Sequence, residues 1–185
     1  KTAAFALPIL QLLDSKKNHN VSRVIKALIL APTRELALQI SDNFNSYSKN
    51  LELSHTTIFG GVSQNLQVKD LRKGVDTLIA TPGRLLDLMQ QGFVKLNHVE
   101  FFVLDEADRM LDMGFIKKKK KVIAKLPAKK QTMFFSATVA PDIMKLATTL
   151  LKNPVHISVT PVSSPATLVE QSIYYVAKEN KRLLL

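Results

Sequence analysis

The sequence contains no cysteine, which excludes disulfide bonds and thiolate metal sites and fits a protein of the reducing cytoplasm. Its longest apolar stretch, residues 3–13, is interrupted by Pro8 and Gln11 and is too short to cross a bilayer. No signal peptide and no internal repeat are visible. The four histidines are scattered without the spacing of metal ligands, so we expect structural roles for all of them.

Positive charge is what the sequence has in excess. Of its 185 residues, 26 are basic and 15 are acidic, which gives a net charge of +11. A run of lysines at residues 117–121 contributes to this charge, yet the basic excess persists without it. Such a balance favours a polyanionic partner. Nucleic acid is favoured over a membrane, because no basic amphipathic helix with an aromatic face stands out.

The apolar pattern predicts an α/β domain. Hydrophobic residues make up 46% of the chain, enough for a globular core. Short apolar runs that alternate with helical segments predict a parallel sheet with helices on both faces. The predicted strands cover residues 24–31, 56–59, 75–80, 99–104, 132–135 and 155–159. The predicted helices cover residues 1–14, with a kink at Pro8, and residues 33–47, 85–90 and 141–151. Two further helices are predicted to end at residues 73 and 111.

Polar or glycine-rich segments directly follow five of these strands. They are PTRE at residues 32–35, Gly60 with Gly61, TPGR at 81–84, DEAD at 105–108 and SAT at 136–138. Because the carboxyl ends of parallel strands meet at one edge of a sheet, we expect all five segments at the same edge. Ligands bind at this edge in such sheets, so it is the predicted working face of the domain.

The acidic segment DEAD allows two interpretations. Asp105 and Asp108 fit a helix cap with its capping box, with Glu106 favoured by the helix dipole. Alternatively, a buried strand that ends in carboxylates holds a magnesium ion, as in nucleotide-hydrolysing folds. Lys1 and Thr2 have the order of a P-loop end and would then bind phosphates and, together with Asp105, Mg²⁺. Glu106 would orient or deprotonate the attacking water.

Two further segments combine a cation, a hydroxyl group and backbone amides near a helix N-terminus. Thr33 with Arg34, and Arg84 in TPGR, fit the phosphates of a nucleic-acid backbone. Interleaved aromatic residues are lacking, so we expect contacts that do not read the bases. The alternative for each arginine is a surface salt bridge, which for Arg34 would involve Glu35.

The SAT segment also allows two interpretations. Ser136 and Thr138 precede Pro141 and are typical of a turn. Their hydroxyl groups are also suited to hydrogen-bond the carboxylates one strand away, which would link a nucleotide site to a polynucleotide site.

With these motifs in this order, the chain resembles the first RecA-like lobe of the DEAD-box ATP-dependent RNA helicases. The segment DEADRMLDMGF is most similar to the bacterial RhlE-like branch. The resemblance implies a RecA-like, P-loop NTPase fold, ATP and Mg²⁺ as cofactors, and RNA-stimulated ATP hydrolysis coupled to local duplex unwinding. A preference for RNA over DNA rests on this resemblance alone.

The resemblance also implies a role for each matching residue. Those for ATP and magnesium are Lys1, Thr2, Asp105 and Glu106. Those for the RNA backbone are Thr33, Arg34, Gly61, Thr81, Gly83 and Arg84. Those that couple the two sites are Asp108, Ser136 and Thr138.

The predicted organisation is a first RecA-like domain at residues 1–159, a linker at 160–167 and the start of a second RecA-like domain at 168–185. The adenine-reading Q motif and the P-loop glycines of the family would precede Lys1, and the second lobe would supply arginine fingers and half of the RNA cleft. We therefore expect little or no RNA-stimulated phosphate release from this chain alone. One alternative is a one-lobe RNA-binding module without turnover. Another is a metal-dependent hydrolase that uses Asp105, Glu106 and Asp108 without nucleotide, which leaves Lys1 and Thr2 unexplained.

The lysine run at residues 117–121 does not belong to any motif. Lys119 and Lys120 fall on the predicted helix face of Ile116 and Ile123, where apolar residues are expected. The run is either an additional basic patch for RNA or a solvated helix face. We favour a third explanation, that these residues are engineered or wrongly assigned, which mass spectrometry of the peptide tests.

Overall fold

The computed structural model describes residues 1–16, 22–112, 121–158, 172 and 174–181. The chain divides into two compact units, Lys1–Pro154 and Val155–Leu185. The predicted linker at residues 160–167 and most of the lysine run, residues 117–120, lie outside the described residues.

A sheet of five parallel strands forms the centre of the first unit. The strands are β1 (Ala27–Leu30), β2 (His55–Ile58), β3 (Thr77–Ala80), β4 (Phe101–Leu104) and β5 (Gln131–Phe134). Their order is β2-β3-β1-β4-β5, so β1 is central and pairs with β3 and β4. Strands β1, β3 and β4 are buried along their whole length, which explains why they read as continuous apolar runs. The predicted parallel sheet is confirmed.

Helices pack on both faces of this sheet, as the sequence predicted. One face is covered by α1 (Thr2–Ser15), which continues through Pro8, and α2 (Arg34–Tyr47). The other is covered by α3 (Asn65–Lys73), α4 (Pro82–Gln90), α5 (Ala107–Asp112) and α6 (Pro141–Leu150). In β1, Ile29 packs with α1 and α2, whereas Leu28 and Leu30 pack on the opposite side. Among the described helices, none combines the length and the apolar character that crossing a bilayer requires.

Helix α4 begins three residues earlier than the sequence prediction of Leu85, because Pro82 is its first residue. Proline is favoured at this position, since its ring presets the helical φ and its missing N–H is one the helix leaves unpaired. Gly83 therefore lies in the first helical turn rather than in a loop, and the Leu85 N–H donates to the Thr81 carbonyl over 3.1 Å.

The strand predicted at residues 155–159 is wrong for its described part, because residues 155–158 belong to no strand and the side chains of Val155 and Ile157 are exposed. An apolar run becomes a strand only where another strand accepts its backbone hydrogen bonds. The strand predicted from residue 168 to 177 is likewise not seen in its described residues, 172 and 174–177. Of the helix predicted to follow, the structure describes a short 3₁₀ turn, Lys178–Asn180.

His55 in the edge strand β2 gives the fold a predicted pH dependence. Its ring lies 5.7 Å from that of Phe44 in α2. Burial lowers the pKa of His55, and a hydrogen bond with the Ser41 backbone only partly offsets this. Because the folded chain favours neutral imidazole, this contribution to the free energy of unfolding is present above the unfolded pKa. It is lost as the pH falls below about 6.5.

Replacing His55 by Gln should therefore reduce the loss of stability between neutral and mildly acidic pH. Urea unfolding at both pH values measures this effect. His98→Gln, at an exposed histidine of the same unit, is the matched control and should keep the pH dependence of the unchanged chain. Equal pH dependence in both variants would contradict the assignment.

Candidate functional site

The segments that follow the five strands lie at one edge of the sheet, because the strands are parallel and in register. At the end of the central strand, Leu30 stands opposite Ala80 on one side and Leu104 on the other. The acidic segment after β4 is thus flanked by the segments after β1 and β5. The site consists of a carboxylate turn on this side and a groove on the side of β2 and β3.

The turn after β4 buries one carboxylate. Asp105 is only 3% exposed, and its backbone N–H donates to the Leu30 carbonyl over 3.0 Å. Its Oδ1 accepts a hydrogen bond of 3.0 Å from the N–H of Glu106, which has a φ of +47°. Helix α5 begins only at Ala107, so Asp105 is not its N-cap, and the capping interpretation of this residue is wrong.

The first turn of α1 faces this carboxylate. Burial and the neighbouring negative charge of Glu106 raise the pKa of Asp105, and the hydrogen bond from the Glu106 N–H and the positive charge of Lys1 offset this only in part. The positive charge of Lys1 therefore acts on this carboxylate. The helix is held there by Phe5, whose ring lies 5.3 Å from that of Phe135 just beyond β5.

The residues around Asp105 fit a magnesium ion that is shared with phosphates. Mg²⁺ keeps several waters and is bound by one or two carboxylates plus phosphate oxygens rather than by a protein cage. A buried carboxylate such as Asp105, whose pKa is raised, is stabilised in its charged form by such an ion. Among the described residues, no three carboxylate or imidazole side chains converge on one point. Asp105, Glu106 and Asp108 therefore do not form a three-ligand metal centre.

Asp108 contacts the SAT segment instead. Its Oδ2 accepts hydrogen bonds from the N–H of Ala137 (3.1 Å), the N–H of Thr138 (3.2 Å) and the hydroxyl of Thr138 (3.3 Å). The Ser136 hydroxyl donates to the Thr138 carbonyl over 2.8 Å. Partial burial acts to raise the pKa of Asp108, but the hydrogen bonds outweigh it and the pKa is lowered. The acidic turn and the loop after β5 are thus physically joined.

A groove of about 540 Å³ lies among the segments that follow β1, β2 and β3. It brings together most of the residues that the sequence assigned to a phosphate backbone: Thr33, Arg34, Thr81, Gly83 and Arg84, with Gly60 in place of Gly61. The carboxylates of Glu35 and Asp87 line it as well. The groove therefore has no bulk positive charge, and any phosphate must be held by particular donors.

Arg34 offers donor groups of this kind. Its guanidinium lies 4.8 Å above the centre of the Phe59 ring, a cation–π contact that fixes its position. In the described part of the chain it forms no salt bridge with Glu35, so the alternative drawn from the sequence does not hold. The Thr33 hydroxyl accepts the Leu36 N–H over 3.2 Å and thereby caps α2.

Arg84 is placed differently. Its side chain is only 11% exposed and lies 3.7 Å from the carboxylate of Asp87, the kind of salt bridge considered as its alternative. Its two terminal nitrogens donate to the Gln67 side chain (3.0 Å) and to the Val62 carbonyl (2.9 Å). Each guanidinium nitrogen thus faces a partner within the protein.

Sequence reasoning missed Gln67, which is 7% exposed and hydrogen-bonds both backbone groups of Phe59. One signal was available. Gln67 lies one helical turn before Leu71, which is partly buried against the core, so the periodicity of α3 puts a polar residue on its inward face.

Comparison with known proteins adds three findings. The sequence profile described as DEAD/DEAH box helicase matches residues 1–146. The RNA helicase CrhR of Synechocystis sp. is 39% identical over 178 residues, which cover 96% of this chain and 35% of CrhR. The ATP-dependent RNA helicase RhlB of Pseudomonas putida is 42% identical over 190 residues, which cover 100% of this chain and 48% of RhlB. The chain thus spans less than half the length of either relative.

Two solved structures are similar as well. A DEAD box protein from the hyperthermophile Methanococcus jannaschii has a TM-score of 0.74 and 39% sequence identity, covering 82% of this chain and 40% of that protein. The yeast DEAD-box splicing factor Prp28 has a TM-score of 0.76 and 35% identity, covering 82% of this chain and 37% of Prp28. These likenesses confirm the predicted RecA-like fold.

Proposed function

Because this chain belongs to the DEAD/DEAH box helicase family, we propose that it is the first RecA-like lobe of an ATP-dependent RNA helicase. This lobe would comprise residues 1–159, joined by a linker at 160–167 to a second RecA-like lobe that begins at 168. Together the lobes would couple ATP binding and hydrolysis to RNA backbone binding and local duplex unwinding. The observation that carries the proposal is the hydrogen-bonded link of Asp108 to the loop after β5, which joins the acidic segment that contains Asp105 to the segment that follows the neighbouring strand.

The carboxylate turn is the proposed nucleotide site. Lys1 would hold the phosphates of ATP, while Asp105 and Thr2 would hold Mg²⁺, which neutralises charge on the phosphoryl oxygens when bound. Glu106 is the residue next to the buried Asp105 and remains partly exposed, so it is the carboxylate that can accept a proton from water. The separate positions of these carboxylates suit separate roles.

The groove is the proposed RNA site. Arg34, oriented by Phe59, would donate to a phosphate, and the backbone at Gly83 and Thr81 would contact the same strand. No Cβ-sized obstruction lies around Gly60, Gly61 or Gly83, so an RNA backbone can approach the chain there. Since these contacts are to phosphate and sugar, we propose that binding is independent of sequence.

Replacing Arg34 by Ala should weaken the binding of single-stranded RNA by about tenfold and reduce the salt dependence of the binding constant by about one phosphate contact. Fluorescence anisotropy with a labelled oligouridylate at several salt concentrations measures both quantities. Arg72→Ala is the matched control. Arg72 is also an exposed arginine; it stacks over Phe93 at 5.5 Å and does not line the groove. If both variants bind RNA alike, the groove is not the RNA site.

Two finer assignments belong to the same proposal. The RhlE-like branch is supported by the segment DEADRMLDMGF, and a cytoplasmic location by the lack of cysteine. A one-lobe RNA-binding module without turnover is the alternative. RNA affinity that does not respond to ATP, even when a second lobe is attached, would favour this alternative over the helicase.

A further inference from the structure

Behind the groove lies a buried amide that no sequence motif marks. Gln67 accepts a hydrogen bond of 3.2 Å from the Phe59 N–H and donates one of 3.1 Å to the Phe59 carbonyl. Strand β2 is an edge strand and ends at Ile58, one residue earlier. The side-chain amide of Gln67 therefore pairs with Phe59 as a neighbouring strand would, and fixes the backbone beyond the end of β2.

Phe59 carries the ring on which Arg34 lies, at 4.8 Å. Fixing the Phe59 backbone restricts the directions its ring can take, and the ring in turn orients the guanidinium above it. Gln67 thus determines where an exposed cation stands in the groove, although it lies too deep to touch a ligand there.

Arg84 completes this arrangement from the other side. Its Nη1 donates to the same Gln67 oxygen that binds Phe59, and its Nη2 donates to the Val62 carbonyl, which follows Gly60 and Gly61. The Arg84 guanidinium therefore holds both the Gln67 side-chain amide and the backbone that follows Gly60 and Gly61. The planar fork of arginine suits this task, whereas a lysine offers only a single donor centre.

We infer that Gln67 is a positioning residue of the groove and that Arg84 acts through it, and through Val62, rather than by binding a phosphate. The inference rests on the proposed RNA site and deepens it. The two arginines then have different roles. Arg34 contacts the ligand, and Arg84 holds Gln67 and the Val62 backbone in the positions that orient Arg34.

The test measures the binding of a single-stranded oligouridylate of about ten nucleotides to the 185-residue chain over a range of salt concentrations. Gln67→Met keeps the volume but removes the amide, and Arg84→Lys keeps the charge but removes the fork. Each should weaken binding by about threefold to fivefold, less than Arg34→Ala does, with an unchanged salt slope, because Arg34 keeps its charge in the groove and loses only its fixed orientation. Gln64→Met is the matched control, since the Gln64 amide pairs with Gln91 instead, and it should bind as the unchanged chain does.

A combined variant separates positioning from a general loss of folded protein. In an Arg34→Ala background, Gln67→Met should have no further effect on RNA affinity, because the residue acts through Arg34. Thermal unfolding of each variant identifies the folded fraction, and Arg84→Lys serves as the second variant if Gln67→Met is poorly folded.

Three results would overturn the inference alone: unchanged affinity in Gln67→Met, a salt slope in Arg84→Lys that falls by about one contact, or additive effects of the Gln67 and Arg34 changes. Normal RNA binding by Arg34→Ala would instead refute the RNA groove itself, and the inference with it. The single Arg34 variant therefore distinguishes failure of the proposed function from failure of the positioning role.

Discussion

Replacing Glu106 by Gln should lower RNA-stimulated ATP hydrolysis by about a hundredfold to ten-thousandfold, the range expected for removing a general base. The change keeps the shape of the side chain and the hydrogen bond from the Glu106 N–H to Asp105, so the turn should retain its structure. ATP affinity should change little, because the phosphates are assigned to Lys1 and the ion to Asp105. Phosphate release and nucleotide binding are measured on a protein in which this lobe is joined to its second lobe.

The matched control for this experiment lies beyond the other end of β4. Glu100 immediately precedes β4, at the opposite end of the strand from Glu106, and forms a surface salt bridge of 2.9 Å with Lys16. Such exposed pairs contribute about 0–1 kcal/mol, so Glu100→Gln should leave turnover unchanged. Hydrolysis by Glu106→Gln within a few fold of the unchanged enzyme would exclude Glu106 as the base.

Replacing Phe5 by Ala should lower the free energy of unfolding by about 3–5 kcal/mol, as is typical for a fully buried phenylalanine. Phe5 is 0% exposed and packs against Phe135, so its removal leaves a cavity between α1 and the end of β5. The same loss should loosen the first turn of α1, which carries Lys1 and Thr2, and thereby weaken nucleotide binding. Urea unfolding gives the first quantity and nucleotide titration the second.

Leu7, on the same helix, is 50% exposed and provides the comparison. Leu7→Ala should lower the free energy of unfolding by only about 1 kcal/mol, because half of the side chain is already exposed to water in the folded protein. A Phe5 variant as stable as the Leu7 variant would show that α1 is not anchored through this ring.

The sheet and its working edge were predictable because their cause is local. Continuous apolar runs such as Ala27–Leu30 and Phe101–Leu104 indicate strands that are buried on both faces. Because the strands are parallel, the segments that follow their carboxyl ends all lie at the same edge of the sheet, whatever the order of the strands. The strand order β2-β3-β1-β4-β5 was not available from the sequence, since it depends on how the strands compete for neighbours.

The missed features depend on contacts between distant positions. Gln67 and Arg84 are 17 residues apart and meet only because α3 and α4 both pack on the same face of the sheet. The sequence predicted the same phosphate-binding role for Arg34 and Arg84. In the structure, however, Arg34 is exposed, whereas the side chain of Arg84 is largely buried. The strand predicted at residues 155–159 failed for a related reason, because apolar composition alone does not supply a pairing partner.

The backbone at Glu106 stands at a φ of +47°, a region that disfavours any residue with a Cβ by about 1–2 kcal/mol and that glycine occupies freely. Selecting variants of this domain for heat resistance alone would therefore push position 106 toward glycine. The most heat-resistant variants would then lack the Glu106 carboxylate, which is the proposed base. Laboratory evolution of this domain therefore has to select for turnover at every round.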